Sequence, residues 1–153
     1  MKDLEKEINI LLKENDFDLI IHSMAVSDFY LKKISQNNHS LDIGQGKISS
    51  DYPVDLHLVP APKVINIFKQ KSDACLFGFK LLSNASDEEL FAAAYRQIET
   101  AGSDFVIANH KEKVSSVNHE AYLISQDGVL ETYKTKEEIA KGIINAYLRK
   151  KEL

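Results

Sequence analysis

Two spacings of apolar residues alternate along the chain, and each predicts a different secondary structure. Between Leu4 and Leu12 the apolar residues recur three or four positions apart, with Lys and Glu on the opposite face, which predicts an amphipathic helix. The next segment, FDLIIHSM at 17–24, contains three consecutive apolar residues, Leu19 to Ile21. A short continuous apolar run is typical of a strand buried on both faces. The chain is therefore predicted to begin with a helix followed by a buried strand.

Later segments of the chain also alternate between strand and helix patterns. Three further strand patterns follow, at VDLHLVP (54–60), ACLFGFK (74–80) and DFVIAN (104–109). EAYLIS and VLETYK, at 120–125 and 129–134, then predict a hairpin. The two strands are joined through Asp127 and Gly128, a favoured pair of turn residues.

The helix ends are marked by residues that satisfy terminal backbone groups. Pro62 suits the first turn of a helix over PKVINIFKQK. Ser86 and Glu89 have capping-box spacing at the start of the next helix, which ends at Gly102, and the same spacing recurs at Thr135. The order of elements predicts a three-layer α/β domain with a mainly parallel sheet and a C-terminal β-hairpin.

We expect residues 1–153 to form a single domain, because 44% hydrophobic residues suffice for one core. The polar, glycine-containing stretch KKISQNNHSLDIGQGK interrupts the pattern and predicts a flexible flap at about 31–50. Open α/β sheets normally begin with a strand and a glycine-rich turn, whereas this chain begins with a helix and has no GxGxxG or P-loop. The pattern leaves open whether a first strand is supplied elsewhere or is missing.

The composition narrows the classes of function. A net charge of -4 disfavours a nucleic-acid partner held mainly by phosphate contacts. Cys75 is the single cysteine, so no internal disulfide can form. No run of apolar residues approaches the length of a membrane span, and the first residues lack the pattern of a secretion signal. We therefore expect a cytoplasmic protein. The five histidines lack metal-ligand spacing, and no protein-held metal is predicted.

Two charged residues could carry chemistry. Asp28 follows the first buried strand within HSMAVSDFY. It is either a turn or cap aspartate, or a carboxylate that binds a nucleotide or Mg²⁺ at the ligand edge of the sheet. Lys47 lies beyond the polar loop, in GQGKISS. It is either a solvated lysine or a cation on a glycine-flanked arm that closes over phosphates.

Two further positions suit a ligand site near the same edge. Pro62 to Ile65 offers a helix N-terminus directly after a strand, with a positive dipole end. Phe79 follows Gly78 and could stack on a base or belong to the core. The missing dinucleotide fingerprint disfavours a dinucleotide oxidoreductase.

Taken together, five blocks resemble a known family: DLIIHSMAVSDFY, GKISS, LVPAPKVI, FGFKLLSN and SDFVIANHK. Their order and spacing are similar to those of the phosphopantothenate-cysteine ligase domain, also called phosphopantothenoylcysteine synthetase, which many bacteria fuse to a flavin-dependent decarboxylase. AVSDF matches the family's Ala-Val-Ala-Asp-Tyr/Trp block, and SDFVIAN matches its Asp-Leu-Ile-Val-Ala-Asn block. The likeness extends from about Leu4 to Tyr147.

The resemblance implies a Rossmann-like homodimer of coenzyme A biosynthesis that joins 4′-phosphopantothenate to cysteine. CTP, or ATP in some members, acts with Mg²⁺. The substrate carboxylate attacks the α-phosphorus to give an acyl-nucleotidylate and pyrophosphate, and the cysteine amine then displaces the nucleotide. The region Asn109–Lys113 and the hairpin near Tyr122 are the expected dimer surface.

The resemblance also implies roles for individual residues. Lys47 corresponds to a lysine of the family's flap and is the expected catalytic residue. The expected nucleotide-binding residues are His22, Ser23 and Met24 through their backbone, Asp28 through its carboxylate, Lys47, Pro62, Lys63, Val64 and Ile65 at the helix start, and Phe79.

Three departures from the family pattern matter. KISS keeps only the first lysine of the flap motif, so some phosphate neutralisation is either lost or moved to Lys63 or Lys80. Gln97 and Ala101 stand where the family often has lysines on its long helix, so nucleotide contacts from that helix are not expected. The family's glycine-rich first turn and its Asn-x-Ser-Ser-Gly turn have no counterpart, so the resemblance implies that the domain is N-terminally incomplete. A separate chain or a longer native chain could supply that segment; the alternative is a non-catalytic nucleotide-binding or dimerisation module.

Overall fold

The computed structural model describes residues 2–44 and 47–152. Four α-helices and eight β-strands lie within these residues. They are α1 (Lys2–Glu14), β1 (Leu19–His22), β2 (Phe29–Gln36), β3 (His39–Leu41), β4 (Asp55–Pro60), α2 (Ile65–Lys71), β5 (Cys75–Leu82), α3 (Asp87–Ala101), β6 (Phe105–His110), β7 (Ala121–Ser125), β8 (Gly128–Tyr133) and α4 (Lys136–Lys151). In the part of the chain described, no helix is both long enough and apolar enough to cross a membrane.

The chain divides into two compact units. The core unit consists of residues up to Met24 and from Val64 onward, and the small unit consists of Ala25–Lys63. The core unit contains a five-stranded sheet in the order β1-β5-β6-β7-β8. β1, β5 and β6 are parallel, and β7 and β8 continue the sheet as an antiparallel hairpin. The predicted α/β class and C-terminal hairpin are confirmed.

Helices cover both faces of the core sheet. Successive strand residues point to opposite sides, and apolar side chains on each side pack against a helix. On one face, Phe77, Ile107 and Leu123 pack against Ile139 and Ile143 of α4. On the other face, Val106, Ala108 and Ile124 pack against Leu90 and Ala94 of α3. Each large buried side chain contributes about 1.5–3 kcal/mol. These two apolar layers hold the sheet between the helices.

The predicted helix caps of the core unit are confirmed. The Ser86 hydroxyl accepts a hydrogen bond from the Glu89 N–H at 3.2 Å, and the Glu89 carboxylate accepts one from the Ser86 N–H at 2.8 Å. Gly102 ends α3 with a φ of 68°, and its N–H donates to the Ile98 carbonyl at 3.0 Å. The Thr135 hydroxyl caps α4 by accepting the Glu138 N–H at 3.2 Å, while the Glu138 carboxylate accepts the Lys134 N–H at 2.6 Å.

Two predicted boundaries are wrong. Pro62 does not lie in a first helical turn, because Val64 caps α2 and the helix starts at Ile65. The Ala61 N–H instead donates to the Asp28 carbonyl at 2.8 Å, which extends the backbone pairing of the strands beyond β4.

The hairpin turn is one residue earlier than predicted. Gln126 and Asp127 form the turn, and Gly128 begins β8 opposite Ser125. The Ser125 hydroxyl accepts the Asp127 N–H at 3.1 Å, and Gly128 has a φ of 131° that favours glycine.

The small unit is an antiparallel sheet in the order β3-β2-β4. β2 and β3 are joined by Asn37 and Asn38, with φ values of 50° and 64°, as in a tight hairpin turn. The segment predicted as a flap at about 31–50 lies in this unit, and part of it is strand. The apolar pattern misses these strands because the apolar residues of β2 do not alternate regularly with polar ones, although Ile34 pairs with Leu41 across the two strands. Whether the segment closes over a ligand stays a prediction.

Candidate functional site

The carboxyl end of β1 presents the first predicted binding residues in the core unit. His22 is the last residue of β1, and its side chain is buried against the Phe68 ring of α2, with the ring centroids 5.3 Å apart. Burial lowers the pKa of His22 below its usual value of 6.5, so the imidazole is uncharged at neutral pH. Ser23 and Met24 follow in an exposed segment. Their exposure is compatible with the predicted backbone contacts to a nucleotide.

The start of α2 lies on the same face of the core sheet as His22. Val64 is buried, with 3% of its surface exposed, and Ile65 is half-buried. The first N–H groups of a helix lack partners within the helix and give that end a positive partial charge. A short helix that starts here can therefore supply the backbone contacts predicted for Val64 and Ile65.

Gly78 in β5 creates space beside His22, its partner in the strand register. A Cβ atom at Gly78 would lie 1.9 Å from Nε2 of Gln97 and 3.1 Å from Cδ1 of Ile65. The side chain of Gln97 therefore crosses the backbone of β5 where glycine leaves room. The sequence does not predict this contact of Gln97 with β5, although an isolated glycine within a strand is a signal of such a close approach.

Phe79 points to the opposite face of the sheet from Gly78. Its half-buried ring packs against the apolar cluster under α4 that includes Phe77. This position agrees with the core alternative for Phe79. Base stacking by this ring stays a prediction.

In the small unit, two predicted residues are brought together. The Lys63 ammonium forms an ion pair with the Asp28 carboxylate. The Asp28 carbonyl also accepts the Ala61 N–H at 2.8 Å, and the hydroxyl of Ser27 donates to the Phe29 carbonyl at 2.7 Å. The backbone hydrogen bond from Ala61 to Asp28 thus holds the loop carrying Asp28 against the segment carrying Lys63. The charged side chains themselves are 66% and 61% exposed.

The predicted catalytic residue, Lys47, lies in the small unit and is exposed. Gly44 precedes it with a φ of 91°, a conformation that favours glycine. Gln45 and Gly46, part of the predicted glycine-flanked arm, lie outside the described residues. Pro62 is exposed and belongs to the same unit.

Among the residues described, no group of three or more His, Cys, Asp or Glu side chains could hold a metal ion. Mg²⁺ commonly binds proteins through one or two carboxylates together with substrate phosphates. Asp28 offers one exposed carboxylate of this kind. The residues present therefore fit a Mg²⁺ ion that arrives with a nucleotide.

Known proteins resemble this chain over nearly its whole length. A curated relative, the coenzyme A biosynthesis bifunctional protein CoaBC of Thermococcus kodakarensis, is 35% identical over 145 residues, which cover 94% of this chain and 34% of the relative. The chain thus spans about a third of the length of that relative.

Solved structures share the fold. The DNA/pantothenate metabolism flavoprotein from Streptococcus pneumoniae gives a TM-score of 0.84 at 28% identity, covering 97% of this chain and 69% of that protein. A Cab2 mutant in complex with phosphopantothenate-cysteine gives a TM-score of 0.59 at 18% identity, covering 83% of this chain and 43% of that protein, and supports the fold alone.

A family model narrows the assignment further. The model of the DNA/pantothenate metabolism flavoprotein C-terminal domain matches residues 2–150. This match includes all five blocks that carry the resemblance in the sequence. The chain therefore belongs to the family of the DNA/pantothenate metabolism flavoprotein C-terminal domain.

Proposed function

We propose that this chain acts in coenzyme A biosynthesis as a ligase that joins 4′-phosphopantothenate to cysteine. CTP or ATP, with Mg²⁺, is the co-substrate. The observation that carries the proposal is the pairing of Asp28 with Lys63. These residues come from two separate blocks of the family resemblance, AVSDF and LVPAPKVI, and the small unit joins them by an ion pair and a backbone hydrogen bond.

The reaction requires control of negative charge. In the first step a carboxylate oxygen of phosphopantothenate bonds to the α-phosphorus, and the bond from that phosphorus to pyrophosphate breaks. In the second step the cysteine amine bonds to the acyl carbon, releases the nucleoside monophosphate and loses a proton. Cations placed beside the phosphates stabilise the charge that develops in the first step. Mg²⁺ bound with the nucleotide would share this neutralisation.

Lys63 and Lys47 are the lysines of this chain proposed to neutralise that charge. An exposed ion pair contributes only about 0–1 kcal/mol. Lys63 can therefore leave the Asp28 carboxylate and turn to a phosphate at little cost, and the exposed carboxylate is proposed to bind the nucleotide or Mg²⁺. Lys47 lies beyond Gly44 in the segment proposed as a flap, where closure would also exclude water from the mixed anhydride.

A further segment is proposed to complete the site. Among the described strands, β1 is at the edge of the core sheet and pairs with β5 alone. Ile21 of this edge is 46% exposed, and an apolar groove of about 200 Å³ beside it is lined by residues including Leu11 and Phe17. A strand from a longer chain or from a separate chain would cover this edge. Such a segment would also bring the family's missing phosphate-binding turn.

A homodimer is part of the proposal. Asn109 and His110 are buried within the chain, so the exposed part of the proposed surface is Lys111–Lys113, next to the half-buried Tyr122. Lys113 pairs with Glu120 on this surface. A mass in solution that stays at one chain over a wide range of concentrations would contradict the dimer.

The activity is tested by pyrophosphate release from the unaltered chain with phosphopantothenate, cysteine, Mg²⁺ and CTP or ATP. We expect release that depends on phosphopantothenate and falls at least about 100-fold in Lys47→Ala. Lys141→Ala, which alters an exposed lysine of α4, is the matched control and should leave release unchanged.

A non-catalytic nucleotide-binding module is the second candidate, and the absence of an Asn-x-Ser-Ser-Gly turn from this sequence favours it. Nucleotide binding without pyrophosphate release would support the module and contradict the ligase. For either function we propose a cytoplasmic location, where the lone Cys75 stays reduced.

A further inference from the structure

Two buried polar atoms on one face of the core sheet have no hydrogen-bond partner within the described residues. They are Nδ1 of His22 and Nε2 of Gln97. His22 is opposite Gly78 in the strand register, and the Gln97 nitrogen lies 1.9 Å from the place where a Cβ of Gly78 would be. The two side chains therefore come from neighbouring positions on the face covered by α2 and α3.

Such atoms are costly to keep. A buried donor or acceptor that loses its water and gains no partner reduces stability, and each one in a native structure calls for an explanation. Apolar side chains of similar size, such as Met at Gln97, would remove the cost. Because both side chains lie next to Gly78, one partner from outside the chain could satisfy both atoms.

The uncharged side chains of His22 and Gln97 limit the kind of ligand atom that they can bind. The Gln97 amide carries no charge, and burial keeps the His22 imidazole neutral by lowering its pKa. A phosphate in a buried position would need a cation or several charge-assisted bonds. An uncharged hydroxyl or ring nitrogen needs only one or two neutral hydrogen bonds. The pair thus suits the nucleoside part of a ligand better than its phosphates.

The position of the pair also fits a ligand. His22 ends β1, and the carboxyl ends of strands are where open α/β sheets bind ligands. Ile65 of the α2 start lies 3.1 Å from the same Cβ position. Because Gly78 has no side chain, the Gln97 amide can turn toward this edge without meeting one on β5.

We propose that His22 and Gln97 together hydrogen-bond an uncharged oxygen or nitrogen of the nucleoside when a nucleotide binds. The proposal rests on the function proposed above, and it makes Gln97 a specificity-determining residue. The atom recognised is either a sugar hydroxyl or a heteroatom of the base.

The test compares Gln97→Met with Gln70→Met, a matched control whose amide is exposed on α2. Calorimetry on the full chain measures binding of CTP and ATP, of their monophosphates, of the 2′-deoxy monophosphates and of inorganic tripolyphosphate. In Gln97→Met we expect a loss of about tenfold in affinity for the nucleotides and none for tripolyphosphate. The melting temperature should stay the same or rise by about 2–4 °C, and Gln70→Met should change neither quantity.

A double variant sharpens the result. If the pair binds one atom, His22→Phe should weaken nucleotide binding, and Gln97→Met should add little to that loss. If a 2′-deoxy monophosphate binds the unaltered chain and Gln97→Met equally well, the 2′-hydroxyl is the atom recognised; if the loss persists, it is the 3′-hydroxyl or a heteroatom of the base.

Two results would overturn the proposal. A higher melting temperature of Gln97→Met with unchanged nucleotide affinity would show that an internal water satisfies the two atoms. No nucleotide binding by the unaltered chain would contradict both this proposal and the proposed function. Binding that responds to Gln97→Met without any pyrophosphate release would support this proposal while contradicting the ligase.

Discussion

The ammonium group of Lys63 pairs with the carboxylate of Asp28, although the two residues are 35 positions apart in the sequence. The pair links the loop before β2 to the segment after β4. Asp28 therefore has a basic neighbour before any nucleotide arrives. This arrangement suits a site in which Lys63 exchanges its carboxylate partner for a phosphate of the ligand.

Removing the pair should hardly change stability. Asp28→Asn and Lys63→Ala are each expected to alter the free energy of unfolding by less than about 1 kcal/mol, because both side chains are about two thirds exposed. Urea unfolding measures this change. A loss several times larger would mean that the pair holds the small unit together rather than serving a ligand.

Gly142 in α4 is expected to be far less tolerant of substitution than its helical position suggests. A Cβ there would lie 2.2 Å from Cζ of Tyr133, in a ring that is buried in the core. Gly142→Ala should cost about 2 kcal/mol of stability, despite the better helix propensity of alanine. Asn145→Ala, on the exposed side of α4, is the matched control, and equal thermal stability of both variants would contradict this packing.

Gly78→Ala is expected to be milder, because the nearest atom is the end of the flexible Gln97 side chain. We expect a loss of about 1 kcal/mol and recovery of most of it in Gly78→Ala, Gln97→Ala. Chemical denaturation of the single and double variants measures this coupling. A fully additive double variant would mean that Gln97 does not occupy the space over Gly78.

The stability of the folded chain should depend on pH through its buried histidine. Burial lowers the folded-state pKa of His22 below 6.5, so the unfolded chain binds more protons as the pH falls. The contribution of neutral His22 is therefore present above about pH 6.5 and is lost as the pH falls through the folded-state pKa. His119 has the same sign, since burial also lowers its pKa. Urea unfolding between about pH 5 and 8 should show this slope, and His22→Phe should reduce it.

Asp104 anchors β6 to β5 and to α4 in the core unit. Its carboxylate accepts the Leu76 N–H at 2.8 Å and pairs with Lys69 at 2.9 Å and with Lys150 at 3.0 Å. Burial alone would raise the pKa of Asp104, but these partners together hold it below its usual value of 3.8. Asp104→Asn should cost about 2 kcal/mol at pH 7, and this cost should shrink as the pH falls below 3.8 and through the lowered folded-state pKa.

Thermal unfolding across this acidic range provides the check. Asp127→Asn, which alters an exposed acid in the β7–β8 turn, serves as the control and should behave like the unaltered chain. If the Asp104 and Asp127 variants lose equal stability at pH 7, the buried carboxylate does not have this anchoring role.

Local sequence rules predicted the elements whose signals are contained in short segments. The capping residues Ser86 and Glu89 act within one helical turn, and the consecutive apolar residues of β6 require burial on both faces. These features depend on spacing alone, so the sequence was sufficient to place them.

The parts that depend on distant contacts were not predicted. The apolar residues of β2 do not alternate regularly with polar ones, and the pairing of Ile34 with Leu41 becomes visible only in the folded sheet. The position of Gln97 depends on the space left by Gly78 in another element, and its burial cannot be read from α3. The ion pair of Asp28 with Lys63 likewise required the geometry of the small unit.

The central claim is that the loop of Asp28 and the segment of Lys63 bind the phosphates and Mg²⁺ of a nucleotide. Titration of the unaltered chain, Asp28→Asn and Lys63→Ala with CTP and ATP in the presence of Mg²⁺ tests it most directly. We predict binding by the unaltered chain and at least about tenfold weaker binding by each variant. Equal affinity in all three proteins, or no binding by the unaltered chain, would contradict the claim.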